Sequence, residues 1–311
     1  MPILKNQQRE ECVGKYKRMK KIPTEFWMVL PALIVLVVIT VFPFIYTVQL
    51  SFKHYPYIQV QSHIRRVEWV GLDNWIRMLT DPKVGRYWIV TLKYVLGALS
   101  CEIALGIAAA LLLNRIRIFQ DLLTTLSLSP MFFAPVLVGL LGRYMLHDSY
   151  GVYSYFAHQL GLFENISIFG DGRTALLALI ALDIWEWTPL VTIIVLAGLK
   201  SLPREPFEAV SIDGANAWQR LWYLTLPMLK PVLLVALIIR TMDILRYFVK
   251  FLITTRGGPA DATKIVAIAV YDQAFQAWRM GYAATLTLSM LIVTIVLGIV
   301  FVRFFAGMGQ E

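Results

Sequence analysis

The chain has 311 residues, of which 58% are apolar and only 16% are charged. A soluble domain of that length cannot hide so much apolar surface, so the composition excludes an ordinary water-soluble enzyme. The net charge of +9 reads as basic residues flanking membrane spans beside anionic lipid, with no nucleic-acid partner expected.

A helix that crosses a bilayer needs about 20 mainly apolar residues. Residues 26–50, 88–113, 122–146, 174–199, 228–253 and 283–305 each qualify. Backbone groups in lipid must be satisfied within the segment, so the expectation is an all-α integral membrane protein with six transmembrane helices. Residues 1–24 form a basic leader with Lys5, Arg9, Lys15, Lys17, Arg18, Lys20 and Lys21. The span that follows is too long for a cleaved signal peptide and has no small-residue cleavage pattern after it. Basic residues mark the cytoplasmic side, so the N-terminus is expected there, and six spans return the C-terminus to the same side. The loop with Arg115 and Arg117 then also falls inside. The basic loop 51–87 falls outside against that rule, its charge partly offset by Glu68, Asp73 and Asp81. Cys12 and Cys101 lie at different levels of the membrane and form no expected disulfide. The four histidines have no ligand spacing, so no metal site is expected.

Along the chain, Pro31 and Pro43 sit inside the first span, where membrane helices tolerate proline. In the outer loop, Asp73 or Asn74 is the expected cap of a short helix, and Trp69, Trp75 and Trp88 suit a membrane interface. Gly106 to Ala110 in the second span offers a small-residue face for close helix packing. Pro130 and Pro135 predict a kink in the third span. Gly257-Gly258-Pro259 marks a turn after the fifth span, and Tyr271, Phe275 and Trp278 fit a short interfacial helix.

Between the fourth and fifth spans lies a polar loop, Glu208 to Pro227, reading EAVSIDGANAWQRLWYLTLP. Two short helices broken at Gly214 are expected. Pro203 suits the first helical turn, Glu205 and Glu208 suit a helix N-terminus, and Gly214 permits the positive φ of a tight reversal. Trp218, Leu221 and Trp222 supply an apolar side expected to pack under the spans, and Pro227 is expected to open the next span.

The order Glu208-Ala209-Val210, then Gly214 four residues after Val210, then Leu224 and the pair Leu226-Pro227 closely resembles the EAA signature of permease subunits of binding-protein-dependent ABC importers. Val210 stands where the signature usually has alanine. The segment Trp185-Glu186-Trp187-Thr188-Pro189 followed by Ala197-Gly198-Leu199 is similar to the region before that loop in sugar-type permeases. Gly71-Leu72-Asp73-Asn74-Trp75, and Gly257-Gly258-Pro259 through Ala274-Phe275, resemble further landmarks. The likeness runs from about residue 23 to 305.

The resemblance implies the type I ABC importer permease fold. Its domains are the leader 1–24, a six-helix permease domain 25–306 with an ATPase-coupling loop 200–227, and a tail 307–311. It implies a multi-pass protein of a prokaryotic inner membrane and a carbohydrate cargo (a sugar, a polyol or a phosphate ester). A second homologous permease subunit, an ATPase dimer and an extracytoplasmic solute-binding protein are the implied partners. Coupling residues are Glu208, Ala209, Val210, Asp213, Gly214, Leu226 and Pro227. Pathway contacts are Glu186, Trp187, Leu190, Arg240, Asp243, Ile244 and Tyr247. No cofactor is expected on this chain, which lacks a P-loop; ATP and Mg belong to the partner ATPase.

The charges within the spans point to a polar path on their own account. Arg240, Asp243, Arg246, Tyr247 and Lys250 fall within an arc of about 120° on an uninterrupted helix, with Arg240–Asp243 and Asp243–Arg246 at pairing distance. Asp183, Glu186, Trp187 and Leu190 form a second stripe. Charges at the bilayer centre cost about 2.5–3.5 kcal/mol each, so these groups face protein or water. Either they line a pathway, or they form an ion-pair network such as Glu186 with Arg240 or Arg246. Lys93 and Glu102 are further charges within a span with no assigned partner. The alternatives weighed are a stand-alone proton-coupled secondary transporter, opposed by the lack of an internal repeat, and an integral membrane enzyme, for which no catalytic grouping is seen.

Overall fold

The computed structural model describes residues 24–63, 66–116, 118–161 and 167–307. The leader with Cys12, the loop residues Arg65 and Arg117, and the tail beyond residue 307 lie outside the described residues. The chain divides into two compact units after Gln49. The first unit is essentially helix α1 (Thr24–Ser51), which contains Pro31 and Pro43 and exposes Val38, Ile39 and Phe42.

The second unit opens with β1 (Lys53–His54), α2 (Tyr57–Gln61), β2 (Glu68–Trp69) and α3 (Asp73–Thr80). β1 and β2 pair as a two-stranded antiparallel ribbon, a small departure from the all-helical expectation. The expected cap of α3 is not formed. Leu72 holds the N-cap position without a side-chain bond. Asn74 is instead buried, and its amide donates to the carbonyls of Ser51 at 2.9 Å and Lys53 at 3.0 Å.

Helix α4 (Pro82–Arg115) starts earlier than its apolar run suggests. The Asp81 carboxylate accepts from the Lys83 backbone N–H at 2.9 Å. Pro82 takes the first position, where a missing donor has no consequence. The third span consists of α5 (Gln120–Leu128), a 3₁₀ turn (Ser129–Phe132) and α6 (Pro135–Met145), bent by 88° between its halves. Phe133 and Ala134 are extended at the corner, as the residue before a proline prefers. The break is far sharper than the expected kink.

α7 (Val152–Gln159) precedes α8 (Gly172–Ser201), followed by the hairpin helices α9 (Glu205–Ile212) and α10 (Ala217–Arg220). α11 (Leu226–Ile244) and α12 (Val249–Thr254) correspond to the expected fifth span, which is interrupted at Leu245–Phe248. α13 (Val266–Tyr271) and α14 (Met280–Gly307) complete the chain. Tyr271 and Phe275 do sit together on α13 and the wide turn after it. Trp278 leaves that surface to stack on Tyr57 at 5.4 Å.

Five described helices are long and apolar enough to cross a bilayer, six when the bent pair counts as one span. The core is built on α4 against α8. Gly106 lies directly on Val191, so the small-residue face packs as expected, with Ala110 fully buried beside it. Tyr94 of α4 meets Phe251 of α12 edge-on at 4.7 Å, beside buried Leu179 and Ile244. That cluster brings α4, α8, α11 and α12 to one level.

Candidate functional site

At that level the four helices bring together six ionisable side chains. Arg240 on α11 is fully buried. Its Nε and Nη2 donate to the two oxygens of Glu102 on α4, at 2.7 and 2.8 Å. Nη2 also reaches Asp183 of α8 at 3.0 Å, and Nη1 reaches Asp243 at 3.1 Å. Lys250 on α12, also fully buried, contacts Asp183 at 2.7 Å and Glu186 at 2.6 Å. The Tyr247 hydroxyl donates to the other Glu186 oxygen at 3.0 Å. Acid and base thus alternate from Glu102 through Arg240, Asp183 and Lys250 to Glu186.

This geometry explains the interruption of the fifth span. Ten residues of straight α-helix rise about 15 Å, which would hold Arg240 and Lys250 apart. Unwinding Leu245–Phe248 lets both cations converge on the single carboxylate of Asp183. Tightened backbone bonds, Arg246 N–H to Asp243 and Tyr247 N–H to Ile244, close the end of α11. The single polar stripe inferred for a continuous helix therefore does not exist: Arg246 is 75% exposed, while Arg240 and Lys250 are sealed.

The expected pathway residues separate into two layers. Glu186, Arg240 and Ile244 are closed off inside the chain. Trp187, Leu190, Asp243 and Tyr247 are half-buried and form the outer layer. The Trp187 and Tyr247 rings meet edge-on at 6.2 Å. The Arg240 guanidinium lies 4.8 Å from the Trp187 ring and the Lys250 ammonium 4.9 Å from the Tyr247 ring, so each aromatic rests on a sealed cation. Asp243 bridges the layers, with Arg240 on one oxygen and Arg246 at 3.8 Å on the other. The i,i+3 pairs foreseen from sequence are present. The suggested pairing of Glu186 with Arg240 or Arg246 is not: its partners are Lys250 and Tyr247. Glu102 gains its partner in Arg240, which no reading of one span reveals, and Lys93 is exposed on α4.

The second candidate site is the α9–α10 hairpin. Glu205 and Glu208 occupy the first turn of α9, as expected. The proline in that turn is Pro206, while Pro203 precedes the helix. Gly214 has φ +77°. Its N–H bonds to Ser211 and that of Ala215 to Val210, the bonding pattern of a helix stop that needs a left-handed residue. Asn216 and Gln219 then cap α10 reciprocally, both bonds at 2.9 Å. Arg220 reaches Ser211 at 3.3 Å and ties the two helices.

Glu208, Ala209, Asp213 and Gly214 are exposed along one edge of the hairpin, and Val210 is half-buried. Val210, Asp213 and Gly214 line a cavity of about 410 Å³ with Ala215, Gln219, Tyr223 and Leu224. Trp218 and Trp222 do not pack under the spans. They pair with each other at 5.7 Å and stay exposed, as do Ile212 and Tyr223, while Leu221 is half-buried. Pro227 does fall in the first turn of α11, as expected. A π turn at Leu221–Thr225 joins α10 to α11, so that Ala217–Ile244 continues as one candidate span, and the π turn lies just before Leu226-Pro227, where the absent N–H would interrupt a plain α ladder.

Residues 102–309 match the family described as binding-protein-dependent transport system inner membrane component. The chain is 32% identical over 299 residues to the probable ABC transporter permease protein y4oQ of Sinorhizobium fredii, covering 96% of this chain and 94% of that one. It is 31% identical over 283 residues to the trehalose/maltose transport system permease protein MalF of Thermococcus litoralis, covering 91% and 92%. A solved bacterial ABC transporter involved in import of the acidic polysaccharide alginate shares the fold, with TM-score 0.77 and 21% identity over 98% of this chain and 99% of that one. The matched family residues take in the buried charge chain, the aromatic pair and the hairpin together. The chain belongs to the binding-protein-dependent transport system inner membrane components, the multi-pass permeases of ABC transporters.

Proposed function

We propose that this permease carries an uncharged, hydroxyl-rich carbohydrate into the cytoplasm, using ATP hydrolysed by a partner. The observation that carries the reading is the half-buried Trp187–Tyr247 pair seated on sealed cations. Aromatic faces stack on sugar rings, and the Asp243 carboxylate beside them accepts hydroxyl hydrogens. The two sealed cations are already matched by carboxylates and are not available to an anionic cargo. Relatives named for trehalose/maltose transport support a neutral sugar. One named for sulfoquinovosyl glycerol, 31% identical over 280 residues, marks the alternative of a charged one.

The hairpin is the proposed coupling element. Its exposed edge from Glu208 to Gly214, its cavity and its uncovered Ile212, Trp218 and Tyr223 suit a protein partner. In this reading an ATPase dimer, which holds ATP and Mg, closes on the hairpin from the cytoplasmic side. A second, homologous permease subunit completes the pathway, and an extracytoplasmic binding protein delivers solute. Both termini face the cytoplasm, and the chain itself has no catalytic site. Closure of the ATPase moves the hairpin, and the spans switch between inward and outward opening. Family membership does not favour the stand-alone proton-coupled transporter.

Trp187→Ala in the assembled, reconstituted transporter tests the cargo site. The expected result is uptake reduced about tenfold, equivalent to about 1.4 kcal/mol of lost contact, with basal ATP hydrolysis retained. Unchanged uptake would remove the aromatic pair from the pathway.

A further inference from the structure

A second concave site lies among the loops at one end of the spans. It is a pocket of about 290 Å³ lined by Lys53, His54, Arg77 and Arg279, with Gln59 and Tyr282 among its other walls and no acidic residue among the described residues that line it. Among the described residues none of Lys53, Arg77 or Arg279 makes an ion pair, unlike the cations of the transmembrane chain. The acid nearest in the ribbon, Glu68, stands opposite His54, is exposed, and does not line the pocket.

The walls are held in place. The Asn74 amide ties the Ser51 and Lys53 carbonyls to α3. Met280 N–H bonds to the Tyr55 carbonyl at 3.1 Å, and Tyr57 N–H to that of Trp278 at 2.9 Å. A Cβ on Gly281 would stand 1.9 Å from the Lys53 carbonyl oxygen, so the loop and the first turn of α14 are in direct contact. The Arg77 guanidinium lies over the Tyr282 ring at 5.4 Å. The Tyr282 hydroxyl is buried without a partner among the described residues, in a residue only 8% exposed.

The depth of the pocket identifies its occupant. Lys53 follows the last residue of α1 by two positions, and Arg279 precedes the first residue of α14. These cations therefore stand where a span leaves the hydrocarbon. Beside Arg77, helix α3 exposes Ile76 and Leu79, with Leu72 and Trp69 exposed just before it. Apolar residues interleaved with an arginine suit the boundary between acyl chains and headgroups. Guanidinium groups grip phosphate oxygens in pairs.

We propose that this pocket binds the phosphate of an anionic phospholipid headgroup in the leaflet at this end of the spans. The test uses the complete transporter in lipid nanodiscs of phosphatidylcholine alone or with phosphatidylglycerol, with the thermal midpoint and the retained lipid measured. Phosphatidylglycerol is expected to raise the wild-type midpoint by a few degrees and to remain bound in native mass spectrometry. The Arg77→Gln/Arg279→Gln variant is expected to lose at least half of that shift and the retained lipid, with its phosphatidylcholine midpoint unchanged. An undiminished shift in the variant overturns the proposal. So does an equal shift produced by inorganic phosphate in phosphatidylcholine discs, which would make the site one for a free anion. A variant that keeps its lipid response but loses affinity for the solute-binding protein overturns it as well, and gives the pocket to an acidic protein surface.

Discussion

Arg240 satisfies three carboxylates from one planar group, and this sets what can replace it. Lysine offers a point charge and cannot reproduce the fork to Glu102 while reaching Asp183 and Asp243. Arg240→Lys is therefore expected to lower the thermal midpoint nearly as far as Arg240→Met; a lysine variant as stable as wild type would show that charge alone matters. Glu102→Gln leaves the guanidinium short of one charge in a sealed site. Breaking such a buried pair costs about 3–5 kcal/mol, which a denaturation series on the purified complex would detect. The sequence exposed each of these residues as costly within a span. It did not reveal the pairing, because Glu102 and Arg240 lie 138 positions apart and meet only through the packing of α4, α8 and α11.

At the scale of elements, the interruption between α11 and α12 has no proline or glycine to announce it. Leu245-Arg246-Tyr247-Phe248 is a sequence that helices accept, and the break follows from where Arg240 and Lys250 must reach. The broken third span was legible as a kink, because Pro130 and Pro135 remove donors whatever the surroundings. In the hairpin, Gly214 and the acidic first turn were legible for the same local reason, whereas the outward Trp218 and Trp222 depend on what covers them. Lys250→Met should leave Glu186 without its cation and free α12. Amide exchange across Val249–Thr254 is expected to quicken about tenfold or more, and unchanged protection would show that apolar packing alone holds α12. Proline at position 214 cannot adopt φ +77° and loses the bond to Ser211. Gly214→Pro is expected to leave ATP hydrolysis running without solute uptake, and coupled transport in that variant would contradict the role of the hairpin.

Across the whole molecule, two regions divide the work. The sealed charges fix four helices around a half-open aromatic layer, and the exposed hairpin lies in the connection between the fourth and fifth spans. Composition and the apolar runs were enough to read a multi-span helical protein, and the Glu208–Pro227 signature was enough to read its family. The side of the membrane on which the hairpin lies is the point on which the mechanism turns. Ala209, exposed on α9, is a suitable position for a single cysteine, with Cys12 and Cys101 both replaced by serine. In inverted membrane vesicles containing the complete transporter, that cysteine should crosslink to the ATPase subunit, and the yield should change between ATP-bound and nucleotide-free states. A cysteine labelled only from the opposite face, or one that never crosslinks to the ATPase, would contradict the account.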